Sequence, residues 1–122
     1  MAAVLALLFF LPFQVEHQKH HPPRNPDEYA KILEDPKRDS WQKPHQVIQA
    51  LKLRPDEVIA DIGAGSGYFA RRFARHVKQV LAVDIDAKLL AIVAKHGAAN
   101  IRNVLAAPDN PRLADASVDT VF

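Results

Sequence analysis

At 122 residues the chain makes at most one domain, and its 48% hydrophobic and 25% charged residues are those of a globular protein rather than a disordered one. A net charge of +2 without a long basic run argues against a nucleic-acid partner, so none is expected. The absence of cysteine excludes disulfides, thiolate metal sites and cysteine nucleophiles.

Residues 1–23 read as an apolar leader or anchor followed by a His-rich linker. Ala2 to Phe13 is unbroken apolar sequence, the length of a signal-peptide core and too short to span a bilayer. No Lys or Arg precedes it and no small-x-small cleavage site follows it. A signal peptide, a membrane tether through residues 2–13, a misassigned start and an apolar helix packed on the domain all stay open. The location is accordingly cytoplasmic, or membrane-tethered or exported if the leader is genuine. His17, His20 and His21 have only Glu16 as an acidic neighbour, so no metal site is expected there.

Residues 24–53 read as a helical segment. Asn25 can cap a first helix, Pro26 suits its first position and Glu28 completes a capping box; Tyr29, Ile32 and Leu33 form its apolar face, and Pro36 stops it. Arg38 to Lys43 is a polar connection carrying the only tryptophan, Trp41. A second helix starts near Pro44, with Val47, Ile48 and Leu51 at helical spacing, and ends before Pro55. Packing is the role assigned to Tyr29 and Trp41, and surface positions to His45, His76 and His96.

From Glu57 strands and helices alternate. Val58–Ile62 is the first strand, and the helix after it carries Phe69, Phe73 and Val77 on one stripe. Val80–Val83 is a second strand ending at Asp84. Asp86 caps a further helix, for which Gly97 is the C′ residue. Ile101–Ala106 makes a third strand, and Val118–Phe122 begins a fourth. Short strands joined by helical crossovers imply a parallel sheet. The fold class is α/β, a doubly wound Rossmann-like parallel sheet with N-terminal helices. Because the chain stops within the fourth strand, a truncated domain is expected, with residues 54–122 forming its incomplete ligand-binding half.

Three of the four glycines lie within five residues, in Asp61-Ile62-Gly63-Ala64-Gly65-Ser66-Gly67, directly after the first strand. A side-chain-free turn lets the backbone approach a ligand closely and aims the amides that follow it at a polar group. The dinucleotide fingerprint G-x-G-x-x-G fails at its third position, where Tyr68 stands. A P-loop is excluded because no Gly-Lys-Ser/Thr follows. The acidic Asp84 ends the next strand 17 residues after Gly67.

An acid followed by x-G-x-G-x-G, then a second acid at the tip of the next strand, resembles class I S-adenosylmethionine-dependent methyltransferases. The resemblance covers about residues 40 to 122. It is nearest to the type 11 group, which includes quinone-biosynthesis enzymes, on Trp41-Gln42-Lys43-Pro44 and Leu53-Arg54-Pro55-Asp56. Gly-Ser-Gly-Tyr is also similar to protein-isoaspartate methyltransferases.

The resemblance implies S-adenosylmethionine as cofactor, bound by Asp61, Gly63, Ala64, Gly65, Gly67, Asp84, Ile85 and Asp109. In that family the position of Asp61 caps the turn and lies near the methionine end. The position of Asp84 accepts both ribose hydroxyls, and that of Ile85 lies against adenine. The acid after the third strand contacts the adenine amino group. Ala107 falls at that place in one register and Asp109 in another, and Asp109 is the reading adopted. Methyl transfer by in-line displacement to a small-molecule or protein acceptor is implied, with no residue identified as a general base. The alternatives are an NAD(P)-dependent oxidoreductase and a non-catalytic Rossmann-like interaction module.

Overall fold

The runs Val58–Ile62 and Val80–Val83 are short, rich in Val, Ile, Leu and Ala, and buried along most of their length, which is the pattern of central parallel strands. The computed structural model describes residues 25–122. The apolar run 2–13 and His17, His20 and His21 lie outside the described residues. Among the described residues four parallel strands are present: β1 (Val58–Ile62), β2 (Gln79–Asp84), β3 (Ile101–Leu105) and β4 (Thr120–Val121), in the order β3-β2-β1-β4. Ile62 sits opposite Val83 in the β1–β2 register, so Asp61 and Asp84 emerge together at the C-terminal edge. That edge, with the strand order reversing between β1 and β4, is where open α/β sheets bind ligands.

Alternation along the strands separates two cores. Ile59, Val80 and Ala82 face Phe73, Val77, Leu90 and Val93, with Val47, Ile48 and Leu51 packed outside them. Ala60, Leu81 and Val83 face the other way, against Leu113 and Val118. Phe73, Ile59, Val80, Leu81, Val83 and Val93 are all fully buried, and each burial of this kind stabilises by about 1.5–3 kcal/mol.

The helices follow their caps. Helix α1 (Pro26–Leu33) starts where Asn25 accepts the Asp27 amide at 3.0 Å. A 3₁₀ turn (Pro36–Arg38) and a short helix α2 (Asp39–Gln42) replace the irregular connection expected from the sequence. Helix α3 is Pro44–Leu51. Asp86 caps α5 (Ala87–His96) by accepting the Lys88 amide at 2.8 Å.

Other boundaries differ from expectation for local reasons. The helix after the glycine turn, α4, holds only Ala70–Phe73. Beyond it Arg75 and His76 donate to carbonyls three residues back, which tightens the chain out of α-geometry. Phe73 and Val77 still reach the core. Strand β3 stops at Leu105, one residue early, and the fourth strand is ordered as a ladder only at Thr120–Val121. Gly97 is extended (φ −82°, ψ 171°) rather than left-handed. What it needs is space, since a Cβ there would lie 2.5 Å from the Val93 carbonyl oxygen.

Candidate functional site

After Asp61 and Ile62 the chain turns through Gly63, Gly65 and Gly67 at φ of 75°, 57° and 93°. Two of these positions are crowded as well as left-handed. A Cβ on Gly65 would stand 3.0 Å from Leu33 Cδ1, and one on Gly67 would stand 3.2 Å from Val93 Cγ2. Gly63 differs, because a Cβ there would meet nothing within 4 Å. Its face opens onto two cavities instead.

Asp84 fastens this turn to β2. One carboxylate oxygen accepts the Gly65 amide at 2.8 Å and the other accepts the Asp86 amide at 2.9 Å. The Gly63 and Ala64 amides both donate to the Val83 carbonyl, at 2.8 and 3.0 Å. Each Asp84 oxygen therefore keeps a second lone pair for an outside donor, which suits a vicinal diol.

Asp61 is in the opposite condition. It is 4% exposed, and its Oδ2 is buried without a hydrogen-bond partner among the described residues. Burial pushes its carboxyl up from 3.8 to about 7; a hydrogen bond from the Ala70 backbone opposes that rise, and the charge of Asp84 adds to it. A buried carboxylate with one oxygen unpartnered is costly, so this position favours either a proton or a cation beside it.

The larger of the two cavities, about 560 Å³, is lined by Asp84, Ile85, Ala107, Pro108, Asp109 and Leu113 among others. The smaller, about 310 Å³, is lined by Asp61, Ala64, Gly65, Ser66, Tyr68, Phe69 and Phe122, with Leu33, Arg38 and Gln42 from the N-terminal segment. Ile62 and Gly63 line both, so the cavities meet at the first glycine of the turn. Ile85 is 63% exposed and offers an apolar surface to the larger cavity. Asp109 and Ala107 line that cavity together, beside the Ala107–Asn110 bridge. A separate groove of about 1070 Å³ runs between α1 and α5, and none of the sequence-predicted site residues lines it.

The N-terminal segment grips the turn from outside. The buried Ser66 hydroxyl donates to Glu34, which also pairs with Arg71, and Arg71 donates to the Ser66 carbonyl at 2.7 Å. Tyr68 donates to Asp39, and burial together with that acceptor raises the phenol above its ordinary value. Arg38 and Arg72 lie 4.3 and 3.9 Å from the Tyr68 ring centroid. Trp41 is 65% exposed and 5.6 Å from Arg38, so it is not the packing residue expected. Sequence reasoning missed Arg38 and Gln42 because isolated polar residues in a connection carry no periodic signal. His45, His76 and His96 are exposed, as expected, and no metal-binding cluster occurs among the described residues.

Residues 59–122, just over half of the chain, match the family model of the methyltransferase domain. A probable ribosomal RNA small subunit methyltransferase A from Methanosarcina acetivorans is 38% identical over 48 residues, 39% of this chain and 18% of that protein. A ribosomal RNA small subunit methyltransferase A from Pelotomaculum thermopropionicum is 35% identical over 82 residues, 63% of this chain and 28% of its own length. The chain thus spans less than a third of these relatives. The crystal structure of a SAM dependent methyltransferase from Aquifex aeolicus superposes with a TM-score of 0.70 at 24% identity, over 80% of this chain and 55% of that one, and shares its fold.

One expectation is overturned by these relatives. Weak net charge argued against a nucleic-acid partner, yet the curated proteins that match are named for ribosomal RNA. Net charge is a poor guide here because a partner is met by a local surface, and the +2 of the whole chain averages over it. The resemblance read from the glycine turn and Asp84 holds at the level of the domain: the chain belongs to the methyltransferase domain family.

Proposed function

We propose that the protein binds S-adenosylmethionine across the two joined cavities and takes part in methyl transfer to an RNA acceptor. The observation that carries the cofactor reading is the contrast between two carboxylates flanking Gly63. Asp84 has spare lone pairs beside the larger cavity, and one oxygen of Asp61 has no partner among the described residues beside the smaller one. A diol at one end and an ammonium at the other satisfy both.

In this reading Asp84 accepts the ribose hydroxyls and Ile85 lies against the adenine face, with Asp109 near the exocyclic amine. The Gly63–Gly67 backbone, including Ala64, lies along the cofactor, and Asp61 receives the ammonium. The bound sulfonium supplies an activated methyl group, so the protein contributes position and orientation. A dinucleotide is disfavoured because Tyr68, 5% exposed, fills the place where the third fingerprint glycine would let helix and strand close together. The RNA acceptor rests on the names of the two relatives.

The test is incubation with methyl-tritiated S-adenosylmethionine and ribosomal RNA. RNase-sensitive label is the expected result. Cofactor binding without label in RNA would refute the acceptor, and no binding at all would refute the cofactor.

A further inference from the structure

Three arginines surround the glycine turn, and they are not equivalent. Arg71 pairs with Glu34, and Arg72 pairs with Asp39 at 3.2 Å. Arg38 makes no ion pair among the described residues, and it alone of the three lines the smaller cavity. Among the described residues it is also the only basic one on that lining. Arg38 stands on the 3₁₀ turn Pro36–Arg38, at least twenty residues before the segment that matches the family.

Its position is fixed without using up its charge. One Nη1 hydrogen goes to the Leu33 carbonyl, and the guanidinium packs on the Tyr68 ring at 4.3 Å. Tyr68 is itself buried and tied to Asp39. A guanidinium has five donors in a rigid fork, so most of them stay available for an anion. The smaller cavity therefore offers an unpartnered carboxylate oxygen on Asp61 and an unneutralised cation on Arg38. That pair complements the two charges of an α-amino acid.

Resting on the cofactor reading above, we infer that Arg38 binds the carboxylate of the cofactor's amino-acid end and sets the preference for a zwitterionic over a decarboxylated ligand. The N-terminal segment then completes the binding site as well as supporting the turn. Glu34 and Asp39 neutralise the neighbouring arginines and so leave Arg38 as the cation the cavity presents.

The experiment compares calorimetric affinities for S-adenosylmethionine and its decarboxylated analogue in the wild type, Arg38→Gln and Arg38→Lys. Charge-assisted hydrogen bonds of this kind discriminate by roughly tenfold to a hundredfold, so the wild type should prefer the intact cofactor by that ratio. Arg38→Gln should bring the ratio to about one, and Arg38→Lys should keep part of it. The ratio is taken within one variant, so a general loss of stability does not imitate the effect. S-adenosylmethionine binding with the same ratio in wild type and Arg38→Gln would overturn the assignment alone, pointing to turn amides as the carboxylate's partners. Failure of the wild type to bind either compound would overturn the cofactor reading and this assignment together.

Discussion

Asp84→Ala is expected to weaken S-adenosylmethionine binding by about 3 kcal/mol, roughly a hundredfold, in a calorimetric titration. Two losses combine in that figure. The ribose hydroxyls lose their acceptor, and the Gly65 and Asp86 amides are freed at the same moment. The family resemblance implies the first role for Asp84. The structure adds the second, since the same carboxylate joins the glycine turn to β2 and to the cap of α5. An unchanged dissociation constant in a folded variant would remove Asp84 from the site.

Asp61→Asn should act in opposite directions on stability and on binding. The folded carboxyl titrates near 7, above its ordinary 3.8, chiefly because burial disfavours the charge. The folded protein therefore holds a proton that the unfolded chain releases between those values. Stability falls as pH rises through the window, and the whole cost is present above about 7. A shift of this size corresponds to at most about 4 kcal/mol.

The asparagine has no charge to bury, so its denaturation midpoint should exceed the wild type's at pH 8. The advantage should shrink as pH falls towards 4. Cofactor affinity should meanwhile drop by roughly tenfold to a hundredfold, because the ammonium loses its anionic partner. Wild-type affinity should also decline below pH 7, where ligand competes with a proton, while the variant's stays flat. A variant no more stable than wild type at pH 8 would contradict the burial account.

The sheet could be read from residues because its signals are local and dense. Val58–Ile62 and Val80–Val83 are β-branched or aliphatic runs bounded by turn residues, and both stand as central strands. Asn25, Pro26 and Asp86 announce helix starts by chemistry that depends on a few neighbours, and each holds. The carboxylates at two adjacent strand tips were visible for the same reason, since their places follow once the strands are known.

What escaped depended on tertiary contact. Gly97 looked like a left-handed cap, but the Val93 carbonyl oxygen pressed against it is invisible in sequence. The Phe69–Val77 stripe has helical spacing, yet the chain tightens after four helical residues and still delivers Phe73 and Val77 to the core. Arg38 was read as part of a polar connection. Its place on the cavity is fixed by contacts with Leu33 and with Tyr68, thirty residues downstream. Asp61 was recognisable as a turn acid, whereas its unpartnered oxygen appears only once Ala70 and the core close over it.

Calorimetric titration of the protein with S-adenosylmethionine, beside an identical titration with NADH, tests most directly whether the paired cavities at Gly63 hold an adenosyl amino acid. Saturable one-site heat with S-adenosylmethionine, and none with NADH, is the predicted result. Saturable heat with NADH, or no heat with S-adenosylmethionine, would contradict it.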